Sequence, residues 1–301
     1  MQSQVKLADI KKLVSIAEAG LAKIQELYQE EKKEVVEKKL HTETAVADLR
    51  TGELLVERIK EVFGEDIRIL VEETAPKTIN IRGYDFIVDP IDCTRGFIHN
   101  HPGTGVAIAM VRDGQVMASV IGQIVASSAK NEFLHDIVCG GFTHEGWQAW
   151  SLDQGSYKPI STSDITNLAD GLIYVEMDAF DVSQKNFTDG LRLAEYFMPP
   201  RGIARALRIF GSSSLGFMLL GRGSVAVTTG SRKPWDFIPG IPLVLGAGGS
   251  YFFYEDPQKV PRICEVANVH LLQYAKDVHI SAGMKILEGG ISDVLENIPS
   301  V

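Results

Sequence analysis

Between Leu7 and Lys33 apolar residues recur every three or four positions, at Leu7, Ile10, Leu13, Val14, Ala17, Leu21, Ile24 and Leu27. This is the stripe of an amphipathic helix that turns one face to a core. A second helix is predicted over Thr51–Phe63, with Leu54, Leu55, Ile59, Val62 and Phe63 inward and Gly64 stopping it; residues 41–48 before it read as a loop. The period then changes. Asp85–Val88 is a short strand-like run, and Gly105–Val111 and Val116–Ile121 flank Arg112-Asp113-Gly114, a hairpin signal. Cys139–Gly141 and Gly146–Trp150 continue the β character, and Ser151–Asp170 is polar and rich in turn residues.

The second half alternates. Strands are predicted at Leu172–Glu176, Leu207–Phe210, Ser224–Thr228 and Ser250–Phe253, and helices at Asp189–Phe197, Ser214–Leu220 and Ile238–Ala247. Met284–Ile298 reads as a closing helix broken at Gly289-Gly290. That order predicts an α/β layer. A lobe boundary within Ser151–Ser163 divides the chain into an N-terminal α+β lobe, 1–155, and a C-terminal α/β lobe, 156–301.

Composition narrows the function. The 301 residues are 45% hydrophobic and 23% charged, which suits a globular protein with a sizeable core. A net charge of −9 weighs against binding a nucleic-acid polymer through a broad basic face. An acidic enzyme can still take an anionic substrate if bound metal ions supply local positive charge. The N-terminus shows no basic segment followed by an apolar core, and no stretch approaches about 20 apolar residues, so neither a membrane nor secretion is expected. Cys93, Cys139 and Cys264 are odd in number and widely spaced, which fits a reduced, cytoplasmic protein with neither a disulfide framework nor a zinc site.

The densest chemical signal is Asp89-Pro90-Ile91-Asp92-Cys93-Thr94-Arg95, directly after Phe86-Ile87-Val88. A strand here would deliver two carboxylates to its C-terminal edge, with Pro90 stiffening the turn. Converging carboxylates repel unless a proton or cation separates them, and hard oxygen donors suit Mg²⁺. A helix opening at Cys93–Phe97 would add free N–H groups that favour an anion.

This stretch resembles the Asp-Pro-Ile/Leu-Asp-Gly-Thr signature of the inositol monophosphatase family, the lithium-sensitive, metal-dependent phosphatases. Further motifs follow the family's order: Thr44-Ala45-Val46-Ala47-Asp48, Val71-Glu72-Glu73-Thr74, Gly211-Ser212-Ser213-Ser214-Leu215, Pro234-Trp235-Asp236-Phe237 and Gly246-Ala247-Gly248-Gly249. The resemblance implies an αβαβα layered sandwich of α/β (α+β) class, and a phosphatase that hydrolyses a phosphate monoester of a small metabolite. It implies two or three Mg²⁺ ions: one on Glu72, Asp89 and the Ile91 carbonyl, a second on Asp89, Asp92 and Asp236, and a weaker third near Glu72. Thr94 and Asp48 would orient the attacking water, with Glu72 accepting its proton. Cys93 and Thr94 N–H groups would hold the phosphate, with Asp92, Ser212, Ser213 and Asp236 at the substrate. A homodimer is the expected assembly.

Some positions depart from the pattern. The family's glycine is Cys93 here, so either a Cβ crowds the phosphate or the backbone needs no positive φ. The glycine before the glutamate pair is Val71, and an alanine pair is Ile238-Pro239. The glutamate that many members carry before Trp-Asp is missing from Thr228–Lys233, where Arg232 and Lys233, with nearby Arg95, could favour a second anionic group on the substrate or, equally, form an ordinary solvated loop. Lys233-Pro234-Trp235-Asp236 also resembles the histidinol-phosphate phosphatase branch, which commonly keeps that glutamate, so the substrate stays open. The rival reading is a catalytically impaired member that binds a phosphorylated ligand as a regulatory module. His99-Asn100-His101 lacks the context of a nuclease, Cys93 lacks the arginine-ended loop of a cysteine phosphatase, and Gly246–Gly249 lacks the lysine of a P-loop.

Overall fold

The computed structural model describes residues 4–29, 35–38, 43–100, 103–127, 132–176, 204–230, 233–253, 262–263 and 279–283. Helix α1 (Leu7–Tyr28) buries the predicted stripe, Ile10, Leu13, Val14, Ala17, Leu21, Ile24 and Leu27. Helix α2 (Val46–Phe63) starts earlier than predicted, directly after a short ribbon of β1 (Val35–Lys38) and β2 (Glu43–Ala45). The expected loop up to position 48 is therefore corrected: Asp48 lies in the first turn of α2, where a carboxylate suits the helix N-terminus. The helix ends as expected, with Gly64 N–H donating to the Lys60 carbonyl at 2.8 Å.

Both helices cover one face of a seven-stranded sheet. Its strands run in sequence order: β3 (Ile69–Val71), β4 (Phe86–Asp92), β5 (Gly105–Arg112), β6 (Gln115–Ser127), β7 (Glu132–Thr143), β8 (Gly146–Asp153) and β9 (Ser156–Pro159). Only β3 and β4 pair in parallel; every other neighbour is antiparallel. The predicted hairpin joins β5 to β6 through Asp113 and Gly114, both at positive φ, 53° and 74°, as a tight turn matched to strand twist requires. The polar stretch after Ser151 is less irregular than its composition suggests, since β9 lies within it and extends the sheet.

A second sheet of six strands has the order β11 (Ala206–Phe210), β10 (Leu172–Glu176), β12 (Val227–Gly230), β15 (His279–Gly283), β13 (Gly249–Phe253), β14 (Arg262–Ile263). Strand β10 is parallel to both β11 and β12. Between the sheets lie α4 (Ser213–Gly221) and α6 (Gly240–Gly246), with a helical turn, α5 (Pro234–Phe237), before α6. The helix predicted over Ile238–Ala247 is observed as α6, starting two residues later, and Ile238-Pro239 links it to the α5 turn, which was not predicted. One buried cluster under α1 and α2 includes Phe86, Val88 and Ile108; another, between the sheets, includes Ile87, Phe217, Phe237 and Ile241. Side chains of this kind each contribute about 1.5–3 kcal/mol on burial.

Helices, sheet, helices and second sheet are four successive layers of the expected αβαβα sandwich. The helices expected at 189–197 and 284–298 lie outside the described residues. Close packing rather than phosphate binding accounts for Gly246: a Cβ there would fall 2.3 Å from the Gln148 carbonyl of β8. Among the described residues no helix is long and apolar enough to cross a membrane.

Candidate active site

Strand β4 is buried along its whole length, between the two helical layers. Asp89 pairs with Ala107 of β5 and Asp92 with Gly105, so three steps on β4 face two on β5. The extra residue is a bulge. In an unbroken strand, positions 89 and 92 would face opposite sides. Ile91 instead joins Phe86 and Val88 in the cluster under α1 and α2, which returns Asp92 to the side that Asp89 shares with Ile87. Pro90 donates no hydrogen bond and is tolerated at such an irregularity.

The other carboxylates come from neighbouring elements. Glu72 and Glu73 open a 3₁₀ turn, Glu72–Thr74, at the end of β3. Helix α2 comes close enough to place Asp48 because position 52 is glycine; a Cβ there would meet Pro90 at 3.3 Å and Val71 at 3.4 Å. Asp236 sits in α5, which buried Trp235 and Phe237 hold against β4. As a result Glu72, Asp89 and Asp236 each offer an oxygen within 4.8 Å of the others. More than a hundred residues separate Asp89 from Asp236, and the fold closes that gap.

This grouping is costly without a cation. Burial is the largest cause that holds the Asp89 pKa well above the usual carboxylate range, and Glu72, Asp92 and Asp236 add to it. Its Oδ1 is buried and has no hydrogen-bond partner among the described residues. Glu73 is pushed up to about 9 by burial, then by Glu72 and Asp48, and its Oε2 is also buried and unpartnered. One cation stands close: Lys233 Nζ donates to Glu72 Oε1 at 2.8 Å. Burial alone would lower the Lys233 pKa, but Glu72 and Asp236 outweigh it and hold the pKa above its ordinary value. The set of hard oxygen donors, with one buried oxygen unsatisfied, suits a small divalent cation.

Asp92 has other partners. Its Oδ2 accepts from Ser212 Oγ and, at 3.0 Å, from Ser214 N–H at the start of α4. Burial raises Asp92 to about 6, and these hydrogen bonds oppose the rise. Ser212 also caps α4 by accepting from Leu215 N–H at 3.1 Å, and its carbonyl accepts from Tyr174 Oη at 2.7 Å. Ser213 Oγ donates to Glu176 at the C-terminal end of β10.

Thr94 Oγ1 donates to Asp48 Oδ1 at 2.8 Å, with the Ile91 carbonyl as a second acceptor at 3.1 Å. Asp48 is 1% exposed, so the pair is shielded from bulk water on that side. Cys93 precedes helix α3 (Thr94–Ile98) with φ 66° and ψ 51°. The family's glycine therefore has its reason here: the position is left-handed, and Cys93 adopts it against a cost of about 1–2 kcal/mol.

The fold gathers Glu72, Asp89 and Asp236 into one group, joins Thr94 to Asp48, and joins Asp92 to Ser212 and Ser214. Lys233, read as either a contact for a second anionic group of the substrate or part of a solvated loop, is instead paired with Glu72; Arg232 and His101 lie outside the described residues. Sequence reasoning missed Glu73, Glu176 and the Lys233 pairing. The doubled acid Glu72-Glu73 and a charged residue ending the apolar run Leu172–Val175 were the available signals for the first two.

The sequence model of the inositol monophosphatase family matches residues 6–292. The Inositol-1-monophosphatase of Bacillus subtilis is 26% identical over 206 residues, 68% of this chain and 69% of its own. The Histidinol-phosphatase of Chlorobaculum parvum is 28% identical over 236 residues, 75% of this chain and 78% of its own. Among solved structures, the extragenic suppressor protein suhB of Bartonella henselae superposes with a TM-score of 0.71 at 18% identity, covering 96% of this chain and 99% of that one. The Thermotoga maritima IMPase superposes with a TM-score of 0.66 at 21% identity, covering 96% of each.

Proposed function

The chain belongs to the inositol monophosphatase family, enzymes that hydrolyse phosphate monoesters, and from that membership we propose a magnesium-dependent phosphatase acting on a small phosphorylated metabolite. Glu72, Asp89, Asp92, Asp236 and the Ile91 carbonyl would hold the ions. Divalent cations supply two things to such a reaction, neutralisation of the phosphoryl oxygens and a more acidic water.

The single observation that carries the reading is the Thr94–Asp48 hydrogen bond. An ionised carboxylate only accepts, so the Thr94 hydroxyl hydrogen is committed to Asp48 and its oxygen lone pairs can accept from the attacking water. Thr94 thus orients the nucleophile, and Glu72 takes its proton. A module that only binds a phosphorylated ligand has no use for such a pair, and this favours an active enzyme. Cys93 and Thr94 N–H groups would receive the phosphate, with Ser212 and Ser213 beside the rest of the substrate. The phosphoryl group needs in-line alignment and charge neutralisation rather than a covalent nucleophile.

The test is release of inorganic phosphate, with Mg²⁺ and with excess chelator. The panel is inositol monophosphates, histidinol phosphate, fructose 1,6-bisphosphate and 3′-phosphoadenosine 5′-phosphate. Mg²⁺-dependent release from at least one is the expected result. Full activity in excess chelator, or no release from any of them with Mg²⁺, would refute the reading.

A further inference from the structure

Lys233 occupies an unusual place for a lysine beside a set of metal-binding carboxylates. Its ammonium lies 2.8 Å from Glu72 Oε1, and Glu72 in turn lies in the group with Asp89 and Asp236. The charges of Asp236 and Asp89 also act on it. Position 233 directly precedes the α5 turn that carries Asp236, so one short segment supplies both a carboxylate and a cation to the same spot. The side chain is 44% exposed, and its Nζ lies 5.6 Å from the centre of the Trp235 ring. It therefore has a route outward and a flexible four-carbon stem to follow it.

Resting on the reading of a divalent-cation site, we infer that Lys233 and the divalent cation are alternative partners for Glu72. Without metal, the ammonium holds Glu72 and offsets the repulsion among the three carboxylates. Metal binding displaces it, because a dication on Glu72 repels an ammonium held at hydrogen-bond distance on the same carboxylate. Lys233 then swings away from Glu72 toward solvent. The lysine lowers the affinity for metal and protects the fold when metal is scarce. It is a positioning residue, separate from the groups that act on phosphate.

The experiment uses the full chain without substrate. Mg²⁺ and Mn²⁺ binding are measured by titration calorimetry for wild type, Lys233→Met and Lys233→Gln, and thermal melting is recorded with chelator and with saturating Mg²⁺. Both variants should bind metal about tenfold tighter and melt lower than wild type in chelator, with that gap closing in saturating Mg²⁺. In wild type, acylation of Lys233 by an amine reagent, read by peptide mass spectrometry, should speed up when Mg²⁺ is added. Wild type that binds metal, with variants of equal or weaker affinity, overturns the inference and leaves the metal reading intact. Wild type that binds no divalent cation at millimolar concentration overturns both. If neither variant folds, the acylation rate decides alone, and a rate indifferent to Mg²⁺ shows that the lysine never leaves Glu72.

Discussion

Replacing Glu73 by glutamine tests the electrostatic account of the site most directly. Glu73 has its Oε2 sealed from solvent without a partner among the described residues, next to Glu72 and Asp48, and its pKa rises from 4.5 to about 9, chiefly through burial. For an acid whose folded pKa is raised, the folded state holds its proton longer than the unfolded chain does. Its contribution is therefore undiminished below pH 4.5, and stability is lost as pH rises from there through about 9. Each unit of that window is worth about 1.36 kcal/mol, so by pH 7 the wild type has lost about 3 kcal/mol that an uncharged residue would keep. Glutamine brings its own unpartnered amide, at a cost of about 1–3 kcal/mol, but that cost does not vary with pH. The assay is urea unfolding of wild type and Glu73→Gln from pH 5 to 8 in chelator. The two curves of stability against pH should diverge, with the variant gaining by about 3 kcal/mol between pH 5 and 7. Saturating Mg²⁺ should shrink the divergence, because it neutralises Glu72. Parallel curves across that range would refute the assignment of a strained, buried Glu73.

Other outcomes follow from the same geometry. Asp89 and Asp92 are raised, Asp92 to about 6, so Mg²⁺ uptake should release protons and its affinity should fall as pH drops through about 6; calorimetry in buffers of different ionisation enthalpy measures both. Thr94→Ala should lower kcat at least about tenfold while Mg²⁺ affinity stays within about threefold, because the hydroxyl orients water and holds no ion; Asp92→Asn should lose both. Equal losses in the two variants would show that the Thr94 role is wrong. Cys93→Gly should stabilise the chain by about 1 kcal/mol, since glycine adopts φ 66° freely, and this is readable as a shift of the urea midpoint at unchanged slope. A destabilised Cys93→Gly would mean that packing of the thiol outweighs the strain.

The sequence by itself determined the elements and the inventory of chemistry. Apolar spacing set α1 and most of α2, the Asp113-Gly114 turn set the β5–β6 hairpin, and the ordered acidic motifs, through their resemblance to a known family, named Glu72, Asp89, Asp92 and Asp236 as one candidate set. These features are local: a 3.6-residue stripe, a turn at positive φ and a short motif each depend on residues a few positions apart. Tertiary structure decided how the candidates combine. The sequence reading brought Asp89 and Asp92 together through a turn at Pro90, whereas both lie within β4, and it is pairing with β5 that creates the bulge putting them on one side. Asp48 looked like part of a loop until packing of α2, allowed by Gly52, fixed it under Thr94. Cys93 could be weighed only once its backbone was known to be left-handed. Lys233 is the clearest case, because a lysine in a polar stretch reads as a solvated charge. Its partner, Glu72, lies 161 positions away in the chain, and an ion pair across that distance is fixed by how the layers close, which no local pattern encodes.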